Sequence, residues 1–174
     1  MLEEHPHVRE SFTQGLWWCD EEQRMYEGSG GPSFSCGTRL TKYDVATGDI
    51  EMGRMLPDNF FGEGICGLGD KLYQLTWTTK VGFVYDRKTM KLVDQWKYDY
   101  QGWGMTTDGE SLIVSDGTAT LHFLDPKTLK ETRTLVVRAR GVKNPTMQPL
   151  RRINDLQWVK VSHSDPLRAV PEVP

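Results

Sequence analysis

Glu63 stands between Gly62 and Gly64 and follows Phe60 and Phe61. A carboxyl enclosed by aromatic rings loses hydration. That loss raises its pKa toward the range where it can both give and take a proton. The flanking glycines let backbone or ligand approach closely. The same residues also fit an exposed loop glutamate, and spacing alone does not choose between the two. Gln14, in Phe12-Thr13-Gln14-Gly15-Leu16, and Asn154, in Ile153-Asn154-Asp155-Leu156, carry neutral amides. Such groups donate and accept hydrogen bonds, so they suit orienting an amide or amine without titrating. Each also fits a strand-end amide that satisfies the backbone. Trp103, in Gly102-Trp103-Gly104-Met105, and Trp77, in Leu75-Thr76-Trp77, offer apolar walls for a pocket or simply core.

Gln14, Glu63, Trp103 and Asn154 occupy one recurring slot, at intervals of 49, 40 and 51 residues. A framework that repeats while one position varies in chemistry aims several side chains at a common centre. The period is that of a β-propeller blade. After each slot comes a strand-like run: Met25-Tyr26-Glu27, Leu72-Tyr73-Gln74-Leu75-Thr76 and Leu112-Ile113-Val114-Ser115. A second run then ends in Asp44, Asp86 or Asp125, each with a threonine three residues on. Asp starts a tight turn by accepting backbone N–H bonds. Asp108-Gly109 signals a hairpin, and Gly69-Asp70 and Thr47-Gly48 play similar parts. No segment sustains helical periodicity, so the fold class is all-β. Each unit makes a four-stranded blade. Three units are nearly complete and a fourth is begun, about three to three and a half blades over 1–159. The segment 160–174 has three prolines and no strand alternation, and is expected to be poorly ordered.

The 174 residues fit one domain, and a net charge of −3 argues against a nucleic-acid partner. No stretch approaches the roughly 18 apolar residues of a membrane span. The N-terminal residues have no signal-peptide character, and the compartment is left open. Cys19, Cys36 and Cys66 form no C-x-x-C pair and read as buried thiols, in preference to a Cys19–Cys36 bridge. The segment 132–154 holds six basic residues and no acidic one. It reads as a solvated insertion between blades, with an anion patch as the alternative. His5-Pro6-His7 reads as a flexible terminus rather than a metal site, and His122 as solvent-facing. Gly28-Ser29-Gly30-Gly31 reads as a blade turn, since no Lys or helix follows to make a phosphate loop.

The motifs resemble the glutamine cyclotransferase family, the plant and bacterial type of glutaminyl cyclase. They are Phe12-Thr13-Gln14-Gly15-Leu16, Phe61-Gly62-Glu63-Gly64-Ile65, Leu72-Tyr73-Gln74-Leu75-Thr76-Trp77, Gly82-Phe83-Val84-Tyr85-Asp86, Gly102-Trp103-Gly104-Met105-Thr106, Ser115-Asp116-Gly117 and Ile153-Asn154-Asp155-Leu156. The resemblance runs from about residue 6 to 159. It implies a five-bladed propeller that converts N-terminal glutamine of peptides to pyroglutamate and releases ammonia. It implies Glu63 as the proton-transferring acid/base, and Gln14 and Asn154 as substrate-binding amides. Phe12, Phe61, Trp77 and Trp103 would wall the pocket. No redox cofactor and no catalytic metal are implied.

The sequence also departs from the family. About two blades have no counterpart, nor do a further pocket Trp and a pocket Lys. Asp155 stands where the family usually has Glu. Unclosed blade edges are a route to self-association. A non-catalytic propeller fragment that binds partners is the competing reading.

Overall fold

Asp44, Asp86 and Asp125 each use one carboxylate oxygen to close a hairpin. Asp44 Oδ1 accepts from the N–H of Ala46 and Thr47. Asp86 Oδ1 accepts from the N–H and hydroxyl of Thr89, and Asp125 Oδ1 from the N–H of Lys127 and Thr128. The Thr89 hydroxyl holds Asp86, and the Thr128 N–H holds Asp125, below the usual carboxylate range.

The computed structural model describes residues 4–31, 37–140 and 146–159. Among these there is no helix. Three antiparallel sheets of four strands follow one another, each with its strands in chain order. Blade 1 contains β1 (Thr13–Cys19), β2 (Arg24–Ser29), β3 (Arg39–Tyr43) and β4 (Ile50–Met55). Blade 2 contains β5 (Gly62–Leu68), β6 (Lys71–Thr76), β7 (Val81–Asp86) and β8 (Leu92–Lys97). Blade 3 contains β9 (Met105–Thr107), β10 (Leu112–Ser115), β11 (Thr120–Leu124) and β12 (Glu131–Val136). The hairpins fall at the turns read from sequence. Asp108 Oδ1 accepts from the N–H of Glu110 and Ser111 between β9 and β10.

Strand period explains how the blades stack. Ile65, Leu72, Phe83 and Tyr85 of blade 2 pack against Cys19, Tyr26 and Leu40 of blade 1. Their neighbours Cys66, Tyr73 and Val84 point the other way, against Met105, Leu112 and Val114 of blade 3. Blade 2 is therefore apolar on both faces. Arg87 clamps the first interface from its rim: its guanidinium donates to Glu21 and Glu22, each at 2.6 Å, and to Cys19 Sγ. This is a partial β-propeller: three blades and the opening segment of a fourth.

The insertion between blades is solvated as read and contains a two-stranded ribbon, β13 (Arg138–Arg140) paired with β14 (Met147–Pro149). Several expectations are corrected. His122 is buried, bonded to Glu131 and Asp116 at 2.7 and 3.2 Å, and stacked on Tyr100 at 3.8 Å. Glu131 from β12 and the Tyr100 ring cover it. His7 is tied down by the buried Glu27 and the Tyr43 ring rather than loose. Gly28 and Ser29 belong to β2, so the glycine run is a strand end and not a turn. Cys19 and Cys66 are free and buried. Cys36 and the segment 160–174 lie outside the described residues.

Candidate active site

In the first two units the recurring slot is a β-bulge on the innermost strand. Thr13 pairs with Ser29 and Gly15 with Gly28, so Gln14 is an extra residue in β1. Gly62 pairs with Thr76 and Ile65 with Gln74, so Glu63-Gly64 carries one extra residue in β5. A bulge turns its side chain out of the sheet's alternation and toward the centre. In the third unit Trp103 and Gly104 precede β9 and bracket Ser115 with two backbone bonds of 3.0 Å. The Ser115 hydroxyl accepts from the Gly104 N–H and donates to the Asn154 carbonyl at 2.6 Å, which fixes the fourth slot.

The glycine after each of the first three slots explains how the slots come together. Gly64 donates to the Trp103 carbonyl at 2.7 Å. A Cβ on Gly15 would lie 2.7 Å from Ile65 N, and one on Gly64 2.5 Å from Met105 N. A Cβ on Gly104 would overlap the Asn154 carbonyl oxygen. Inner strands thus pass backbone against backbone, and the preceding side chains converge.

They converge on an open cavity of about 440 Å³ lined by Phe12, Gln14, Phe61, Glu63, Trp77, Trp103 and Asn154. Every site residue expected from sequence is on that lining. Glu63 is 6% exposed. Its Oε2 is buried with no hydrogen-bond partner among the described residues, and burial pushes its pKa up to about 8. Phe12, Phe61 and Trp77 run edge to face along one wall, at 6.2 and 5.7 Å. Gln14 and Trp103 are half-buried and Asn154 is exposed. The arrangement holds a carboxyl whose pKa burial has raised beside apolar walls and neutral amides. No group of three or more metal-ligating side chains occurs among the described residues.

The family model for glutamine cyclotransferase matches residues 1–170. The chain belongs to the glutamine cyclotransferase family. It is 36% identical over 166 residues to the glutaminyl-peptide cyclotransferase of Arabidopsis thaliana, covering 95% of this chain and 51% of that protein. It thus spans about half the length of that curated relative. The structure of Myxococcus xanthus glutaminyl cyclase superposes with a TM-score of 0.77 at 26% identity, over 91% of this chain and 62% of that one. BamB from Moraxella catarrhalis shares the fold alone, with a TM-score of 0.53 at 19% identity over 75% of this chain and 38% of its own.

Three residues around the cavity of this glutamine cyclotransferase family member were not picked from sequence. Gln101 Oε1 accepts from the indole N–H of both Trp77 and Trp103, at 2.8 and 3.1 Å. Gly117, at φ +77°, backs the Trp103 ring, where a Cβ would lie 2.6 Å from Cε2. Ser115 is the third. The signal available was adjacency: Gln101 is two residues before the Trp103 slot, and Ser115 and Gly117 share one motif.

Proposed function

We propose that this chain carries the catalytic face of a glutaminyl-peptide cyclotransferase. Its substrate is the N-terminal glutamine of a peptide, and the products are an N-terminal pyroglutamyl residue and ammonia. The α-amine nitrogen attacks the γ-carboxamide carbon, forming the lactam C–N bond. The bond from that carbon to the amide nitrogen breaks, and the nitrogen leaves as ammonia. The amine loses one proton and the leaving nitrogen gains one. Glu63 takes the first and supplies the second, a task suited to a carboxyl whose pKa burial has raised to about 8. Phe12, Phe61, Trp77 and Trp103 hold the flexible side chain folded, so its entropy is lost on binding rather than at the barrier. Gln14 and Asn154 orient the amine and polarise the carbonyl as charge develops on its oxygen. Self-association through the unclosed blade edges belongs to the same reading.

The observation that carries this reading is the buried, unpaired Glu63 carboxyl inside an aromatic cavity. The test is ammonia release from a glutaminyl dipeptide by the purified chain and by Glu63→Gln. Turnover that disappears in the variant supports it. A folded chain that binds the dipeptide without turnover removes it and leaves the binding-fragment reading.

A further inference from the structure

Resting on the cyclisation reading above, we infer that Gln101 is a positioning residue. Its single side-chain carbonyl oxygen locks the indoles of Trp77 and Trp103 into one wall for the glutaminyl side chain.

Trp77 follows β6 in blade 2 and Trp103 precedes β9 in blade 3, so no single sheet sets their relative tilt. Gln101 lies in the connection between those blades. Its Oε1 accepts from Trp77 Nε1 at 2.8 Å and from Trp103 Nε1 at 3.1 Å. An indole N–H only donates, so the amide oxygen and not its nitrogen must face both rings. The oxygen's two lone pairs are then both used. The backbone that launches Gln101 is itself held: Gly102 donates to the Trp77 carbonyl at 3.3 Å, and Trp103 to Ser115 at 3.0 Å. Trp77 has latitude to lose, because it is 40% exposed and touches Phe61 only edge-on. Without a shared acceptor the two rings can turn independently. The pocket then has to order them each time a substrate enters, which weakens binding.

The experiment follows the two indole N–H resonances in ¹⁵N-labelled chain, assigned with Trp77→Phe and Trp103→Phe, alongside steady-state ammonia release. In Gln101→Leu both resonances are expected to move upfield. KM should rise about tenfold, the worth of two neutral hydrogen bonds, with kcat changed less than about twofold. Gln101→Glu keeps an acceptor at the same reach. It should restore both resonances and bring KM to within about threefold of the parent. Gln101→Leu with parental resonances, with parental KM, or with kcat falling in place of a KM rise overturns the inference. So does failure of Gln101→Glu to restore the resonances. If the parent chain releases no ammonia, the cyclisation reading falls separately. The indole shifts then decide for or against Gln101 as the residue that positions the two rings.

Discussion

β5 and β1 begin with the same device, a polar residue on a bulge followed by glycine, yet they end in different surroundings. From Gly62 to Gly67 every residue of β5 is buried, whereas β1 leaves Leu16 37% and Trp18 39% exposed. Blade 2 packs against a blade on each face, whereas blade 1 packs against a blade on one face and, through His7 and Ser11 on Glu27, against the N-terminal segment on the other. The difference shows where Glu63 gets its chemistry. No charged neighbour raises its pKa; burial alone does. That burial comes from strands packed on both sides of Gly64. Asn154 fills the same slot at the open end and stays exposed. A perturbed acid here is a property of place in the ring as much as of residue type.

The largest expected effect tests that difference at the slot itself. Glu63→Gln keeps shape and removes the proton shuttle, so kcat should fall ~10²–10⁴-fold. Asn154→Ala removes hydrogen bonds from a hydrated side chain and should cost about tenfold in kcat/KM. Ammonia-release kinetics on both variants measure the gap, and equal losses would erase it. Next comes packing. Leu72, fully buried between blades 1 and 2, should cost 2–5 kcal/mol when truncated to Ala. Leu16→Ala at an exposed position of β1 should cost under ~1 kcal/mol. Urea midpoints at constant m-value compare them.

The third prediction concerns pH. Glu63 ionises near pH 8 in the folded chain, above the ordinary carboxylate value of 4.5. Between those values the folded state binds more protons than the unfolded state. Its contribution to stability is therefore complete below pH 4.5 and is lost as pH rises toward 8. The loss is at most ~1.4 kcal/mol per pH unit. Glu63→Gln should abolish that slope, so the variant gains on the parent across this window and holds its advantage above it. Thermal melts of both chains at pH 5, 6.5 and 8.5 read the effect, and parallel curves would mean that Glu63 is hydrated. Turnover should also fall on both sides of pH 8, because the amine and Glu63 must share one proton between them.

The blade framework was legible because its signals are local. Asp44, Asp86 and Asp125 close their turns within three residues, and apolar strand runs follow each of the first three slots at matched offsets. Gln14, Glu63, Trp103 and Asn154 were legible because the slot recurs, and Phe12, Phe61 and Trp77 because their motifs resemble the family's. What the sequence did not disclose depends on partners that other strands and loops bring together. His122 reads as solvent-facing by alternation, and only Tyr100, Asp116 and Glu131 together bury it. Gln101 looks like any connecting polar residue until two tryptophans from different blades reach its oxygen. The exposed ribbon β13–β14 has too few residues for periodicity to announce it.

The smallest effect should appear at Trp18. Its indole N–H is satisfied by Asp20 at 2.8 Å, within its own hairpin. Its ring lies on the side of blade 1 that no described strand covers. Trp18→Lys should thus change folding stability by under ~1 kcal/mol. A charge on an open edge also opposes pairing with another sheet. The variant should therefore shift sedimentation toward the monomer while leaving ammonia release unchanged. If parent and variant sediment alike as monomers, the exposed Leu16 and Trp18 end of blade 1 is not an association surface. If the variant unfolds, the Trp18 ring is part of what holds blade 1 together, and the contrast between β1 and the buried β5 collapses.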